Sequence, residues 1–339
     1  MKILKIAQKS LRQQSRDRLG LALTVLMAPL FVLLYWMLLE EGQQAATVCL
    51  EADPEVTAAV AELAPRLTVT PCPNPEAILR VRAPGLVDAV ASPAPLPVIV
   101  EGDASRPGFG PAAQAIHQAI DAYVQRLRGI EPATMLQVVP LGRSAERTPF
   151  ELYVPNLLVF AMIMLVFSSA MVTAREVERG TLERLRLTRM RPGEWLAGTA
   201  IAQTLLGTGS VALTFVFATA LGFDARPAAL PVAAGIALLT GIACIGIGTI
   251  VASIARSVAQ AFAIASFFMF LLLLFSGVVF PIPELALLEA LPTVHGARAL
   301  HEVLVLDVGL IDVIEEVGAL AGLSAVFFLL GGWRFSHLH

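Results

Sequence analysis

The chain has 339 residues, of which 56% are hydrophobic and 15% are charged, with a formal net charge of −3. Soluble domains carry about 25% charged residues, so this composition argues against an ordinary soluble enzyme. The apolar residues are gathered into six uncharged stretches, which are residues 19–39, 153–174, 195–223, 227–255, 257–283 and 317–333. Because a helix needs about 20 apolar residues to cross a membrane, the predicted fold class is an α-helical polytopic membrane protein with six transmembrane helices.

A basic segment, residues 1–18, precedes the first span at residues 19–39. It holds every lysine of the chain and three arginines: Lys2, Lys5, Lys9, Arg12, Arg16 and Arg18. Since cations are retained on the cytoplasmic side, the N-terminus is predicted to be cytoplasmic. We interpret the segment as an amphipathic helix on the membrane surface, with a solvated basic tail or a cleaved signal peptide as alternatives. The side chains expected to face lipid are Ile3, Leu4, Ala7 and Leu11.

Residues 41–150 form a stretch long enough to fold outside the membrane. Its predicted elements are strands at residues 47–50, 67–70 and 97–100 and helices at residues 54–64, 75–80 and 111–127. Strands that alternate with helices favour a small α/β domain. Because one span separates it from a cytoplasmic N-terminus, the domain is predicted to be extracytoplasmic.

The three cysteines differ in their predicted surroundings. Cys49 and Cys72 both fall in the extracytoplasmic domain, where an oxidising compartment allows a disulfide to persist. A Cys49–Cys72 disulfide is therefore predicted, with two free thiols as the alternative. Cys244 lies within the fourth span and is interpreted as a small packing residue.

A charged loop, residues 175–194, joins the second and third spans. Its six arginines, Arg175, Arg179, Arg184, Arg186, Arg189 and Arg191, place it in the cytoplasm. The second span is predicted to continue as a charged helix up to Gly180, and a new helix is predicted to begin at Thr181, with Leu182 and Leu185 on one face. A short charged helix held between two spans suits docking to a soluble partner. The alternative is a plain connecting loop.

The later spans end in an acidic outer segment. The fourth span carries Gly241, Gly246 and Gly248, which are predicted to let helices approach closely rather than to bind substrate. Residues 284–316 contain seven acidic residues and Arg298 as the one cation, which is typical of an external loop. Six spans then return the C-terminus to the cytoplasm.

Several kinds of chemistry are not supported by the sequence. A P-loop requires a lysine, and no lysine follows Lys9, so ATP would have to be hydrolysed by another polypeptide. An intramembrane hydrolase could use Ser276, yet none of the five histidines lies in a predicted span. An ion-coupled carrier would need ionisable residues within the spans, which were defined by lacking them. No catalytic or metal site is therefore predicted.

Two passages are similar to a known family. Residues 176–183 (EVERGTLE), followed by Leu187-Thr188 and by residues 191–194 (RPGE), resemble the coupling-loop signature of type-2 ABC exporter permeases. Residues 275–283 (FSGVVFPIP) resemble the end of that family's fifth span, and residues 291–298 resemble its external re-entrant segment. The resemblance covers the whole chain and is least diagnostic in the external domain.

The resemblance implies a permease subunit that pairs with a second copy or a homologue. Each permease would bind a separate ATP-binding subunit, which holds ATP and Mg²⁺, so no cofactor is expected on this chain. The residues implied in coupling are Arg175, Glu176, Glu178, Arg179, Gly180, Thr181, Leu182 and Glu183, with the three glutamates expected to pair with ATPase cations. The resemblance also implies a re-entrant exit segment at residues 277–316. The residues implied in it, together with the preceding Ser276, are Gly277, Pro281, Pro283 and Pro292.

The resulting domain assignment is an amphipathic helix at residues 1–18, a first span at 19–39, an α/β domain at 41–150 and a five-span domain at 153–335. The expected location is the bacterial inner membrane, in contact with lipids and without a nucleic-acid partner. Spans without charge favour an amphipathic, lipid-like or drug-like substrate. A membrane-anchored receptor or scaffold with a ligand-binding external domain, and less favourably an intramembrane hydrolase, remain alternatives.

Overall fold

The computed structural model describes residues 2–41, 46–65, 67–70, 72, 77, 79–83, 98–102, 109–128, 147–181, 184, 192–277 and 288–338. The chain divides into two compact units, one formed by residues 37–139 and the other by residues 1–36 and 140–339. The elements in chain order are α1 (Lys2–Arg16), α2 (Arg18–Glu41), β1 (Ala46–Ala52), α3 (Pro54–Leu63), β2 (Leu67–Thr70), β3 (Leu79–Ala83), β4 (Ile99–Gly102), α4 (Phe109–Leu127), α5 (Pro149–Glu178), α6 (Pro192–Ala220), α7 (Leu230–Ile254), α8 (Val258–Phe275), a 3-10 turn (Leu288–Ala290), α9 (Pro292–Leu304) and α10 (Ile314–Leu338).

The predicted fold class is confirmed. Among the described residues, six helices are long and apolar enough to cross a membrane: α2, α5, α6, α7, α8 and α10. The candidate membrane-crossing stretch of the last helix, Ile314–Phe335, is longer than the uncharged run 317–333 because it also includes Glu315, Glu316 and Arg334. A small sheet is also present, in the unit formed by residues 37–139.

The sheet has the strand order β2-β1-β3-β4. Strand β1 pairs in parallel with both β2 and β3, and β4 pairs antiparallel with β3. Helices α3 and α4 pack against each other and against this sheet. The core of the unit includes Val48, Val56, Val60, Val81 and Ile116, all fully buried. In the same unit Cys49, in the middle of β1, is joined to Cys72 by a disulfide, with the two Cα atoms 5.2 Å apart.

One predicted element of this unit is wrong. Residues 79 and 80 were expected to end a helix that starts at residue 75, and they instead begin β3. The alternation Leu79-Arg80-Val81-Arg82 explains the strand, because it buries both apolar side chains and turns both guanidinium groups to the other face. There the arginines pair with Glu51 and Glu101 on the neighbouring strands.

In the membrane unit, α5 is the central helix, and every residue from 157 to 166 is buried. It packs against α6, α7, α8 and α9. The glycines of α7 permit this packing, as predicted. A Cβ at Gly248 would lie 2.4 Å from the Val166 carbonyl oxygen of α5, and a Cβ at Gly246 would lie 2.7 Å from the Phe328 nitrogen of α10.

The N-terminal helix α1 packs against α6 rather than turning all its apolar side chains to lipid. Leu4 is 68% exposed, whereas Ile6 and Ala7 are buried. The prediction that Ala7 faces lipid is therefore wrong. The cause lies on α6, because Gly198 leaves room for α1: a Cβ there would lie 2.6 Å from the Ile6 Cβ. Ile6 joins a cluster in which the rings of Trp195 and Phe335 stack at 5.3 Å.

Candidate coupling site

The charged end of α5 is the predicted coupling segment, and the helix extends to Glu178. Arg179 forms its C-cap, and Gly180 ends it with a positive φ of 63°, a conformation that glycine adopts without strain. The Arg184 backbone N–H donates to the Gly180 carbonyl at 3.2 Å, so a helical turn follows the glycine. Thr181 lies in this turn, whereas Leu182 and Glu183 lie outside the described residues.

Glu176 faces the protein interior. It is 5% exposed, and its carboxylate is held by α1: Gln13 Nε2 donates at 2.8 Å and Lys9 Nζ lies 3.4 Å away. A buried carboxylate needs such partners because an unpaired one would lose its hydration without compensation. In this structure Glu176 therefore binds α1, where the resemblance implied contact with a partner's cation.

Arg175 ties α5 to the junction of α1 and α2. Its guanidinium contacts the Asp17 carboxylate, which also accepts the Gly20 backbone N–H at 3.1 Å. The hydrogen bond from Arg175, followed by that from Gly20, lowers the pKa of Asp17, so this acid is ionised at neutral pH. Asp17 was not predicted from the sequence, although it is the one acidic residue in a segment, residues 1–18, that holds six basic residues.

Glu178 caps the next helix along this face. Its Oε2 accepts the Val258 backbone N–H at 3.1 Å, and the Ser257 hydroxyl accepts the Gln260 N–H at 3.2 Å. A carboxylate at this position satisfies an otherwise unpaired amide and interacts favourably with the positive end of the α8 dipole. The last turn of α5 thus contacts α1, the junction of α1 and α2, and the start of α8.

The outward surface of the segment is basic. Arg179 and Arg184 are exposed, as is Glu178, while Gly180 and Thr181 are half-buried. The structure therefore divides the predicted coupling residues into two groups. Arg175, Glu176 and Glu178 contact α1, its junction with α2 and the start of α8, whereas Arg179 and Arg184 present charge to the surroundings.

The opposite end of α8 is tied to α5. Gly277, with a φ of 75°, follows the helix, and its carbonyl accepts Asn156 Nδ2 at 3.1 Å. The Ser276 hydroxyl is buried and donates to the Leu272 carbonyl of its own helix. Pro292 is the first residue of α9, whereas Pro281 and Pro283 lie outside the described residues.

A buried ion pair lies at the start of α5, and it was not predicted from the sequence. Arg147 Nη1 donates to Glu151 at 2.8 Å, and Arg147 Nη2 donates to the Leu304 carbonyl at 3.2 Å. The same guanidinium contacts the Asp224 carbonyl and lies 5.4 Å from the centre of the Phe223 ring. The cluster joins α5, the α6–α7 loop and the end of α9. The sequence signal was the capping box Thr148-Pro-Phe-Glu151, which the structure forms completely.

Comparison with known proteins places this arrangement in a family. The family model described as ABC-2 type transporter matches residues 121–304, which is more than half of the chain. The match begins within α4 and ends with α9, so it includes the charged end of α5 and the α8–α9 connection. No curated protein matches the chain.

Proposed function

The chain belongs to the ABC-2 type transporter family, and we propose that it is the membrane-spanning subunit of an ATP-driven exporter. Family membership implies partnership with an ATP-binding subunit, and the family domain itself is a transmembrane component rather than an ATP-binding domain. We assign ATP and Mg²⁺ to that partner and no cofactor to this chain. The proposed location is the bacterial inner membrane, with both termini in the cytoplasm.

The observation that carries the proposal is the set of contacts made by three neighbouring residues at the end of α5. Arg175 contacts Asp17, Glu176 is held by α1, and Glu178 caps α8. A displacement of the segment after Glu178 would therefore be transmitted to α1, α2 and α8 together. Because α5 is also the central buried helix, a partner pulling on this end acts on the whole membrane unit.

The exposed side of this segment supports docking of the ATP-binding subunit. Arg179 and Arg184 would face carboxylates of the partner. Complementary charges of this kind fix the position and orientation of a docked partner more than they increase the affinity. We further propose that two membrane-spanning subunits assemble, as the family resemblance implies, either as identical copies or as homologues.

The proposed substrate is amphipathic, lipid-like or drug-like and moves out of the cytoplasm or the inner leaflet. An apolar cavity of about 260 Å³ between α5, α6 and α7 supports this choice, with Met162, Phe215 and Ala237 among its lining residues. The Thr204 and Thr208 side chains add hydroxyl groups to a wall that is otherwise aliphatic, aromatic or glycine. Such a cavity favours apolar groups over ions. The Ser276, Gly277 and Pro292 region, with Pro281 and Pro283, is the proposed exit.

A charge swap in the coupling segment tests the proposal. The variant Glu183→Lys with Arg184→Glu keeps the net charge and leaves the contacts of Arg175, Glu176 and Glu178 intact. When the variant is purified with the ATP-binding subunit of its transport system and placed in lipid vesicles, we expect at least a tenfold loss of complex-dependent ATP hydrolysis, because reversed charges repel at a docked surface.

Arg334→Glu, on the exposed end of α10, is the matched control and should leave ATP hydrolysis unchanged. Normal coupling in the swap variant would remove this segment from the proposed role. If deletion of residues 45–148 abolished the cellular function while the charge swap had no effect, the scaffold alternative would be favoured. If Ser276→Ala abolished the cellular function while coupled ATP hydrolysis stayed intact, a hydrolase would be favoured.

A further inference from the structure

A large cavity lies beside the N-terminal helix, between α1, the start of α2 and the cytoplasmic half of α5. Its volume is about 820 Å³, and α6 and α8 each contribute a side chain to its wall. The cations that line it are Lys5, Lys9, Arg12, Arg16, Arg175 and Arg179, and the acid that lines it is Asp17. The cavity therefore has a strongly basic rim.

Among the described residues, ion pairs involve only two of the six cations of the rim. Arg175 pairs with Asp17, and Lys9 lies 3.4 Å from Glu176. In the part of the chain that the structure describes, the other four cations have no ion pair; they are Lys5, Arg12, Arg16 and Arg179. Four unpaired cations around one opening attract an anion, and their mutual repulsion falls when an anion binds.

The interior wall of the same cavity is apolar. Phe167 and Met171 line it from α5, and Phe262 lines it from α8, with the Phe167 and Phe262 rings 5.3 Å apart. Arg175 and Phe167 are eight residues apart on one helix, which is about 12 Å along its axis. The cavity thus runs from charge at the membrane surface to aromatic side chains in the hydrocarbon region.

We propose that this cavity binds an anionic phospholipid of the cytoplasmic leaflet. The phosphate would lie among Arg12, Arg16 and Arg179, and one acyl chain would lie against Phe167 and Phe262. A free phosphate would contact only the cations of the rim. A phospholipid would also contact the apolar wall, and for this reason we favour a lipid. The inference requires the membrane-spanning fold and not the proposed export activity, so either can fail without the other.

Binding can be measured on the purified full chain in detergent, using native mass spectrometry with phosphatidylglycerol and with phosphatidylcholine of the same acyl chains. We expect phosphatidylglycerol to bind at least tenfold more tightly. The double variant Arg12→Gln with Arg16→Gln should weaken phosphatidylglycerol binding roughly thirtyfold, since each surface cation contributes about a fivefold factor. Both arginines are exposed and have no ion pair with another described residue, so their removal should leave the fold unchanged.

The matched control is Arg256→Gln with Arg334→Gln, which removes two exposed cations that do not line the cavity. Arg256 follows the fourth span and Arg334 ends the sixth, so a cytoplasmic N-terminus predicts that both are cytoplasmic. It should bind phosphatidylglycerol as the unmodified chain does. Equal binding of the two lipids, or equal loss in the control, would overturn the proposal in favour of general surface attraction. Displacement of the lipid by an equal concentration of glycerol 3-phosphate would overturn it in favour of a free-phosphate site.

Discussion

At the scale of single residues, the two ends of α5 bury charge in the same manner. Glu176 is held by Gln13 and Lys9, and Arg147 is held by Glu151 and two carbonyl groups. In both places a charge leaves water because several partners replace its hydration. The sequence marks such residues as charges next to a span, and the pairing of Arg147 with Glu151 is local. The other partners, Gln13 and Lys9 for Glu176 and the carbonyl groups of Asp224 and Leu304 for Arg147, lie more than 70 positions away, and a single sequence carries no signal for those contacts.

The clearest pH-dependent residue lies on α9. Burial lowers the pKa of His301, so the folded protein favours the neutral imidazole. Between the lowered pKa and the ordinary value of about 6.5, the unfolded chain binds more protons, and stability therefore falls as the pH drops below about 6.5. We expect His301→Gln to lose this dependence, which is measurable as the thermal exposure of the buried Cys244 thiol between pH 5 and pH 8.

The neighbouring acid provides an internal comparison for that prediction. Burial raises the pKa of Glu302, and the nearby Glu316 carboxylate raises it further. Because the folded protein holds the Glu302 proton more tightly than the unfolded chain does, this acid makes stability fall as the pH rises. The pH dependence from Glu302 is therefore opposite in sign to that from His301. A pH profile of His301→Gln identical to that of the unmodified chain would show that His301 does not set the slope above pH 5.

At the scale of elements, the packing of α5 against α7 depends on a glycine. A Cβ at Gly248 would lie 1.8 Å from the Ser169 hydroxyl oxygen and 2.4 Å from the Val166 carbonyl oxygen, so the helices must separate to accept it. We expect Gly248→Ala to destabilise the membrane unit by about 1–3 kcal/mol, the usual range for overpacking. The midpoint of thermal unfolding in detergent, again read from Cys244, measures this loss.

Gly209→Ala is the control for that substitution. Gly209 also lies in the middle of a spanning helix, α6, but a Cβ there would have no neighbour within 4 Å. Alanine favours helix over glycine by about 1 kcal/mol in soluble hosts, so this variant should be neutral or slightly stabilised. Equal destabilisation of the two variants would mean that close packing at Gly248 is not the cause.

The elements show what a single sequence can predict. Six spans and the continuation of the second span through Arg175 follow from long apolar runs and from charge. The strand at Leu79 was missed because Pro75 suggested a helix start, while the pattern that decides it spans four residues. The position of α1 could not be foreseen either, because it depends on the space left by Gly198 on α6, some 190 positions away.

At the scale of the whole molecule, the two units require different surroundings. The membrane unit holds the spans and the charged segment after α5, whereas residues 37–139 form a separate unit with its own sheet and core. The disulfide between Cys49 and Cys72 belongs to that second unit. A disulfide persists in an oxidising compartment, so its presence in living cells would report on which side of the membrane the second unit lies.

Thiol counting therefore tests the orientation of the molecule. When cells are lysed in an alkylating agent that traps free thiols, and the protein is then denatured, we expect one labelled cysteine, Cys244, and three after reduction. For Cys244→Ser we expect no labelled cysteine before reduction and two labelled cysteines after it. A disulfide that closes a loop with a sequence separation of 23 stabilises its unit by about 3 kcal/mol, so Cys49→Ser with Cys72→Ser should also make residues 37–139 more sensitive to protease. Three labelled cysteines before reduction would instead place this unit in a reducing compartment, because the Cα atoms of Cys49 and Cys72 are already close enough to be bridged.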